Sequence, residues 1–188
     1  MDRSPPALLI VDMFNLFDFE QGQALADNAI RIAPVIERLR DRFDQAGAPV
    51  IYVNDNFAHW QGEFRDLVAQ CMTSGGAPAS IARRLAPRPG HYYILKPKHS
   101  AFLATPLALL LAKLGTRRLV LTGVSTDSCI LASAQDANMR EHEIWCPRDA
   151  TAAIRPELHA RALDILSASM GARTDGTRRA RGLFPETG

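Results

Sequence analysis

The chain has 188 residues, one domain's worth, with 22 Lys+Arg against 20 Asp+Glu for a formal net charge of +2, and 47% of its residues are hydrophobic. That apolar content supplies one sizeable core and excludes a disordered or fibrous chain, while the near balance of charge gives no electrostatic reason to bind nucleic acid or an anionic membrane. Cys71, Cys129 and Cys146 are odd in number and lack C-x-x-C spacing, which argues against a disulfide framework or a zinc ribbon.

Short runs rich in Ile, Val and Leu alternate with longer helical patterns, as buried parallel strands joined by crossover helices do. The first strand is read at Ala7–Val11, a run too short for a signal or membrane segment, so a cytoplasmic location is expected. Ala29, Ile32, Ala33, Ile36, Leu39 and Phe43 then recur at helical spacing, with Gly47 as the stop before a second strand at Val50–Val53. From Asn54 to Gly90 seven Gly and Pro residues interrupt any long pattern, and a loop-rich excursion is expected there. Strands at Tyr92–Leu95, Leu119–Thr122 and Glu143–Cys146 follow, with helices at Thr105–Leu114, at Cys129–Met139 and from Pro156 to Met170, which Gly171 ends. Residues 1–172 read as one domain, and residues 173–188 as a polar, Arg-rich tail, expected to be solvated.

In an open parallel sheet the ligand crevice lies beyond the carboxyl ends of the strands, so polar residues just after strands are the first site candidates. Asp12 ends the first strand, Lys96 ends the third, and Cys129 follows the fourth at the start of a helix. A helix N-terminus and a nearby ammonium are expected to lower the thiol pKa, and Asp12 to carry the displaced proton. The small polar run Thr122 to Cys129 suits a tight turn that presents backbone N–H groups to an oxyanion.

The motifs Leu9-Ile10-Val11-Asp12-Met13-Phe14-Asn15, Lys96-Pro97-Lys98-His99-Ser100-Ala101-Phe102 and Thr122-Gly123-Val124-Ser125-Thr126-Asp127-Ser128-Cys129 resemble those of the isochorismatase-like cysteine hydrolases, over roughly residues 7–170. That superfamily includes nicotinamidases and N-carbamoylsarcosine amidase. The resemblance implies a three-layer α/β/α sandwich around a mostly parallel, Rossmann-like sheet of five or six strands. It also implies an Asp12-Lys96-Cys129 triad, Lys96 being chosen over Lys98 because it stands four residues before Ser-Ala-Phe. It further implies a cis peptide at Val124–Ser125, an oxyanion hole from the Ser125 and Cys129 N–H groups, and a homodimer or homotetramer.

The activity so implied is hydrolysis of a small amide, lactam or carbamoyl compound through a Cys129 thioester. In that scheme Asp12 takes the thiol proton, protonates the leaving amine and activates water, and Lys96 tunes both charges. Vinyl-ether hydrolysis with Asp12 as acid, nicotinamidase activity and a catalytically silent binding protein are the alternatives. Many nicotinamidases carry a metal-binding Asp-x-His element after the second strand; here Asp55 is followed by Phe57 in the His position. Asp55 and His59 alone make a poor metal site, so no metal and no cofactor are expected. Phe14, Phe17, Phe57, Trp60 and Phe102 are candidates for an aromatic wall about a small-molecule substrate, with Asp55 also facing it, and His99 is placed to contact substrate.

Overall fold

Alternation of side chains along each central strand divides the core in two. A computed structural model describes residues 4–56 and 61–185. In β1 (Ala7–Val11), Leu8 and Ile10 enter one apolar cluster while Ala7, Leu9 and Val11 enter the other. In β2 (Val50–Asp55), Val50 and Tyr52 divide from Ile51 and Val53 in the same way. Strands buried on both faces need no polar alternation, which is why they read as continuous apolar runs.

The sheet runs β3-β2-β1-β4-β5 and is parallel throughout, with β3 at Tyr92–Lys96, β4 at Arg118–Val124 and β5 at Glu143–Trp145. A sixth strand that the sequence reading did not place, β6 (Thr151–Ala152), pairs with the end of β4 beyond β5. Helices α1 (Gly22–Gln45), α2 (Phe64–Thr73) and α3 (Gly76–Leu85) cover one face; α4 (Leu107–Lys113), α5 (Leu131–Met139) and α6 (Pro156–Met170) cover the other. This is the three-layer α/β/α sandwich.

The stretch expected to be loop-rich holds two ten-residue helices instead. Asp66 closes the first turn of α2 by accepting the Glu63 N–H at 2.8 Å. The last carbonyls of α3 are met from outside the helix: the buried Arg40 guanidinium donates to Arg84 O and Ala86 O at 3.1 and 3.2 Å, and Tyr52 Oη donates to Leu85 O at 2.7 Å. Long-range caps of this kind leave no local sequence signal.

The segment after α6 keeps Arg178, Arg179 and Arg181 exposed, yet its backbone packs along β5. Cys146 N–H donates to Arg173 O at 2.8 Å and Arg173 N–H to Ile144 O at 2.9 Å, extending β5 pairing. Trp145 Nε1 donates to Asp175 O at 2.9 Å, and Asp149 accepts both the Thr177 N–H and hydroxyl. Phe184 then packs edge-on to Trp145. Backbone atoms carry most of these contacts, so the segment's polar side chains concealed them.

No described helix is long and apolar enough to cross a membrane.

Candidate active site

Chain order reverses at β1 and β4: the chain leaves β1 outward to β2 and β3, then returns to build β4 and β5 on the other side. The carboxyl ends of β1 and β4 therefore form the topological switch point where a crevice opens. Asp12, the residue after β1, takes φ 51 while its N–H still donates to Val53 O at 2.9 Å. This left-handed turn is tolerated best by Gly, Asn and Asp. Its Oδ1 accepts the Asp55 N–H at 2.7 Å. The loop that follows is held by Asn54, whose amide accepts the Phe14 N–H at 3.2 Å and donates to Phe14 O at 2.8 Å. Asn54 is a positioning residue that the sequence did not reveal, since a polar residue at a strand end has many uses.

Lys96, the last residue of β3, pairs in register with Asp55. Its side chain is wholly buried, and Nζ lies 2.9 Å from Asp12 Oδ2, 3.4 Å from Asp55 Oδ2 and 3.6 Å from Cys129 Sγ. Three donors of one ammonium thus face three acceptors.

On the far side of the switch point, Gly123 has φ 107, and a Cβ there would come within 2.0 Å of Val11 O. Only glycine lets β4 approach β1 this closely. The Val124–Ser125 peptide is cis. Thr126–Ile130 then form one turn of π-type helix leading into α5, with the Ser125 carbonyl accepting N–H groups from Ser128 and Ile130 at 3.1 Å each. Cys129 sits in this wide turn, and its carbonyl accepts the Ser133 hydroxyl at 2.6 Å. Ser133 in turn accepts the Ala101 N–H at 2.9 Å, joining the Cys129 turn to the Lys96 loop. His99, on that loop, places Nδ1 3.1 Å from Ser128 Oγ and 3.8 Å from Cys129 Sγ.

Burial raises the Asp12 carboxyl above its ordinary range, against the pull of the Lys96 ammonium. Burial also works to lower Lys96, but the Asp12 and Cys129 charges outweigh it and the ammonium is raised. The Cys129 thiol departs from expectation: burial, with the Asp12 carboxylate adding to it, pushes the thiol up to about 12 despite Lys96. One ammonium shared among Asp12, Asp55 and Cys129 does not offset the desolvation of a second anion. Burial thus favours the protonated thiol over the thiolate.

Among the other residues named from sequence, Phe14 and Phe17 lie in the core beneath α1, Phe14 at 5.6 Å from the Tyr52 ring and 5.5 Å from Phe64. Phe102 is buried in the opposite core cluster, under the Arg140 guanidinium. Phe57, His59 and Trp60 lie outside the described residues. Beside Asp55 opens a cleft of about 400 Å³ whose described lining mixes the acidic Asp18, Asp55, Glu63 and Asp66 with Leu16, Leu67 and Leu95 and includes no aromatic ring. Among the described residues no group of three or more His, Cys, Asp or Glu side chains is arranged to hold a metal.

The isochorismatase domain model matches residues 6–177. An uncharacterized isochorismatase family protein of Bacillus subtilis (strain 168), YaaI, is 37% identical over 166 residues, 88% of this chain and 91% of the relative. A ureidoacrylate amidohydrolase of Stutzerimonas stutzeri is 26% identical across 86% of this chain and 75% of its own length. The crystal structure of N-carbamoylsarcosine amidase from Thermoplasma acidophilum superposes with a TM-score of 0.74 at 28% identity, covering 95% of this chain and 99% of that one. With the fold, the three ordered motifs and these matches in agreement, the chain belongs to the isochorismatase family of hydrolases.

Proposed function

We propose that this hydrolase cleaves the C–N bond of a small amide, lactam or carbamoyl compound through a thioester on Cys129. The observation that carries the reading is the convergence of Asp12, Lys96 and Cys129, from three separate elements, on one buried ammonium at the switch point. Isolated buried charges are expensive, and a thiol in contact with both partners has little to add to stability. Similarity to a ureidoacrylate amidohydrolase and an N-carbamoylsarcosine amidase favours carbamoyl or ureido compounds within the class.

In this reading Asp12 takes the Sγ proton as the thiol attacks the carbonyl carbon. The raised carboxyl makes Asp12 a better base for a high-pKa thiol than an ordinary carboxylate, and Lys96 holds the pair near neutrality. The N–H groups of Ser125 and Cys129 hold the tetrahedral oxyanion, a contribution of roughly 3 kcal/mol per donor. Collapse breaks the C–N bond, with the Asp12 proton passing to the nitrogen in the simplest path, and water then releases the acid. The chain supplies nucleophile, base and cation itself, and no step is routed through a metal.

An amine-release screen over small amides, lactams and carbamoyl compounds tests the proposal, with Asp12→Ala and Cys129→Ala as controls. Both variants are expected to lose turnover. A Cys129→Ala protein that keeps full amine release would overturn the thioester.

A further inference from the structure

Asp12 is burdened in the simplest path: it deprotonates the thiol, protonates the amine and activates water. Yet both of its oxygens already hold donors, Oδ1 the Asp55 N–H and Oδ2 the Lys96 ammonium. The thiol has a second acid–base neighbour. His99 lies on the loop leaving β3, exposed to solvent, with Nδ1 3.8 Å from Cys129 Sγ and 3.1 Å from Ser128 Oγ. Asp12 and Lys96 are buried, whereas Cys129 is half-buried and His99 exposed, so His99 borders the thiol where solvent reaches it. An imidazole at the mouth can trade protons with bulk water between half-reactions, which the enclosed carboxyl cannot do as readily.

We propose that His99 is a second catalytic residue of the C–N hydrolase reading above, handling the protons of the leaving nitrogen and of water while Asp12 exchanges a proton only with Sγ. In acylation, Asp12 accepts the Sγ proton as the S–C bond forms. The C–N bond then breaks with its electron pair staying on nitrogen, which takes the Nδ1 proton of the His99 imidazolium. In deacylation, neutral Nδ1 takes a proton from water as the new C–O bond forms. The C–S bond breaks, and the departing sulfur recovers its proton from Asp12. Both groups return to their starting states, and the sum is amide plus water giving acid plus amine. The Ser128 hydroxyl, within bonding distance of Nδ1, holds the ring on the thiol.

Full-length wild-type, His99→Gln, Ser128→Ala and Cys129→Ala proteins would be compared by rapid mixing with p-nitrophenyl acetate, whose phenolate leaves without a proton, and with p-nitroacetanilide, whose nitrogen must be protonated. For His99→Gln the nitrophenolate burst is expected to stay within about twofold of wild type. The phase after the burst, and acylation by the anilide, are expected to fall by about 10²-fold. Ser128→Ala should show the same pattern to a smaller degree. A His99→Gln protein that slows burst, later phase and anilide acylation equally, or none of them, would overturn the assignment. A Cys129→Ala protein that keeps the burst would sink the thioester reading itself, an outcome distinct from failure of the His99 role.

Discussion

Lys96 Nζ and Asp12 Oδ2 meet at 2.9 Å although they leave strands that are not neighbours, because β2 lies between β3 and β1. The lysine reaches over the end of β2, where Asp55 provides a second carboxylate at 3.4 Å and its backbone N–H holds the other oxygen of Asp12. The pair thus ties the edge strand to the centre of the sheet at the point where the proposed nucleophile arrives from β4. Stability and chemistry are coupled at this one ammonium.

Replacing Lys96 by Met leaves the Asp12 carboxylate buried without its cation. Loss of one partner of a buried pair is expected to destabilise the fold by about 3–5 kcal/mol at neutral pH, with activity lost as well. Burial already raises Asp12, and removing Lys96 takes away its main opposing influence. The folded state then holds a proton that the unfolded state releases, so stability falls as pH rises above the ordinary carboxyl range. Urea midpoints of the variant should be higher at pH 5 than at pH 7.5; equal midpoints would contradict this.

Thiol ionisation sets a second pH dependence, at the alkaline end. Burial holds Cys71 up at about 11 and raises Cys146 further, from an ordinary value near 9. Above pH 9 the unfolded chain releases protons that the folded chain keeps, so stability is full below pH 9 and declines as pH rises through 11. By pH 10 the loss amounts to roughly 1 kcal/mol for each of these thiols. Denaturant unfolding between pH 8 and pH 10.5 measures the slope, and Cys71→Ala should flatten it.

Much of the layer order was legible in the sequence, and the reason is physical. Strands β1, β2 and β4 are buried on both faces, and β1 to β5 all appear as apolar runs within one or two residues of their true limits, although Tyr92 and Tyr93 of β3 are exposed. Helices α2 and α3 were not legible, because the Arg40 and Tyr52 contacts that end α3 come from residues far away in the chain. Asp12, Lys96 and Cys129 could be chosen as candidates because they follow strand ends, and the structure brings the three side chains together. The direction of the Cys129 pKa could not be foreseen, since it depends on how deeply the turn sinks between Asp12 and Lys96. Of the aromatics named for a substrate wall, Phe14, Phe17 and Phe102 enter the two cores, while Phe57 and Trp60 lie outside the described residues.

Arg40 offers a stability test away from the chemistry. Arg40→Met keeps the buried stem but leaves the Arg84 and Ala86 carbonyls without their donor. The expected loss is about 3 kcal/mol by urea unfolding, with catalytic rate per folded molecule unchanged. An unaltered midpoint would show that water replaces the guanidinium without penalty.

Gly123 and Gly47 separate steric from conformational demands. Both have positive φ, but a Cβ at Gly123 meets Val11 O at 2.0 Å while one at Gly47 meets nothing within 4 Å. Gly123→Ala should therefore fail to fold or lose all activity, whereas Gly47→Ala should lose only about 1 kcal/mol. Thermal melts of the two variants decide it, and similar losses would contradict the close approach of β4 to β1.

The thioester is the central claim, and intact-protein mass spectrometry after acid quench during turnover tests it most directly. The account predicts an acyl adduct on Cys129 in the wild-type protein, absent from Cys129→Ala and scarce in Asp12→Asn. Undiminished turnover by Cys129→Ala, with no adduct on any residue, would contradict it.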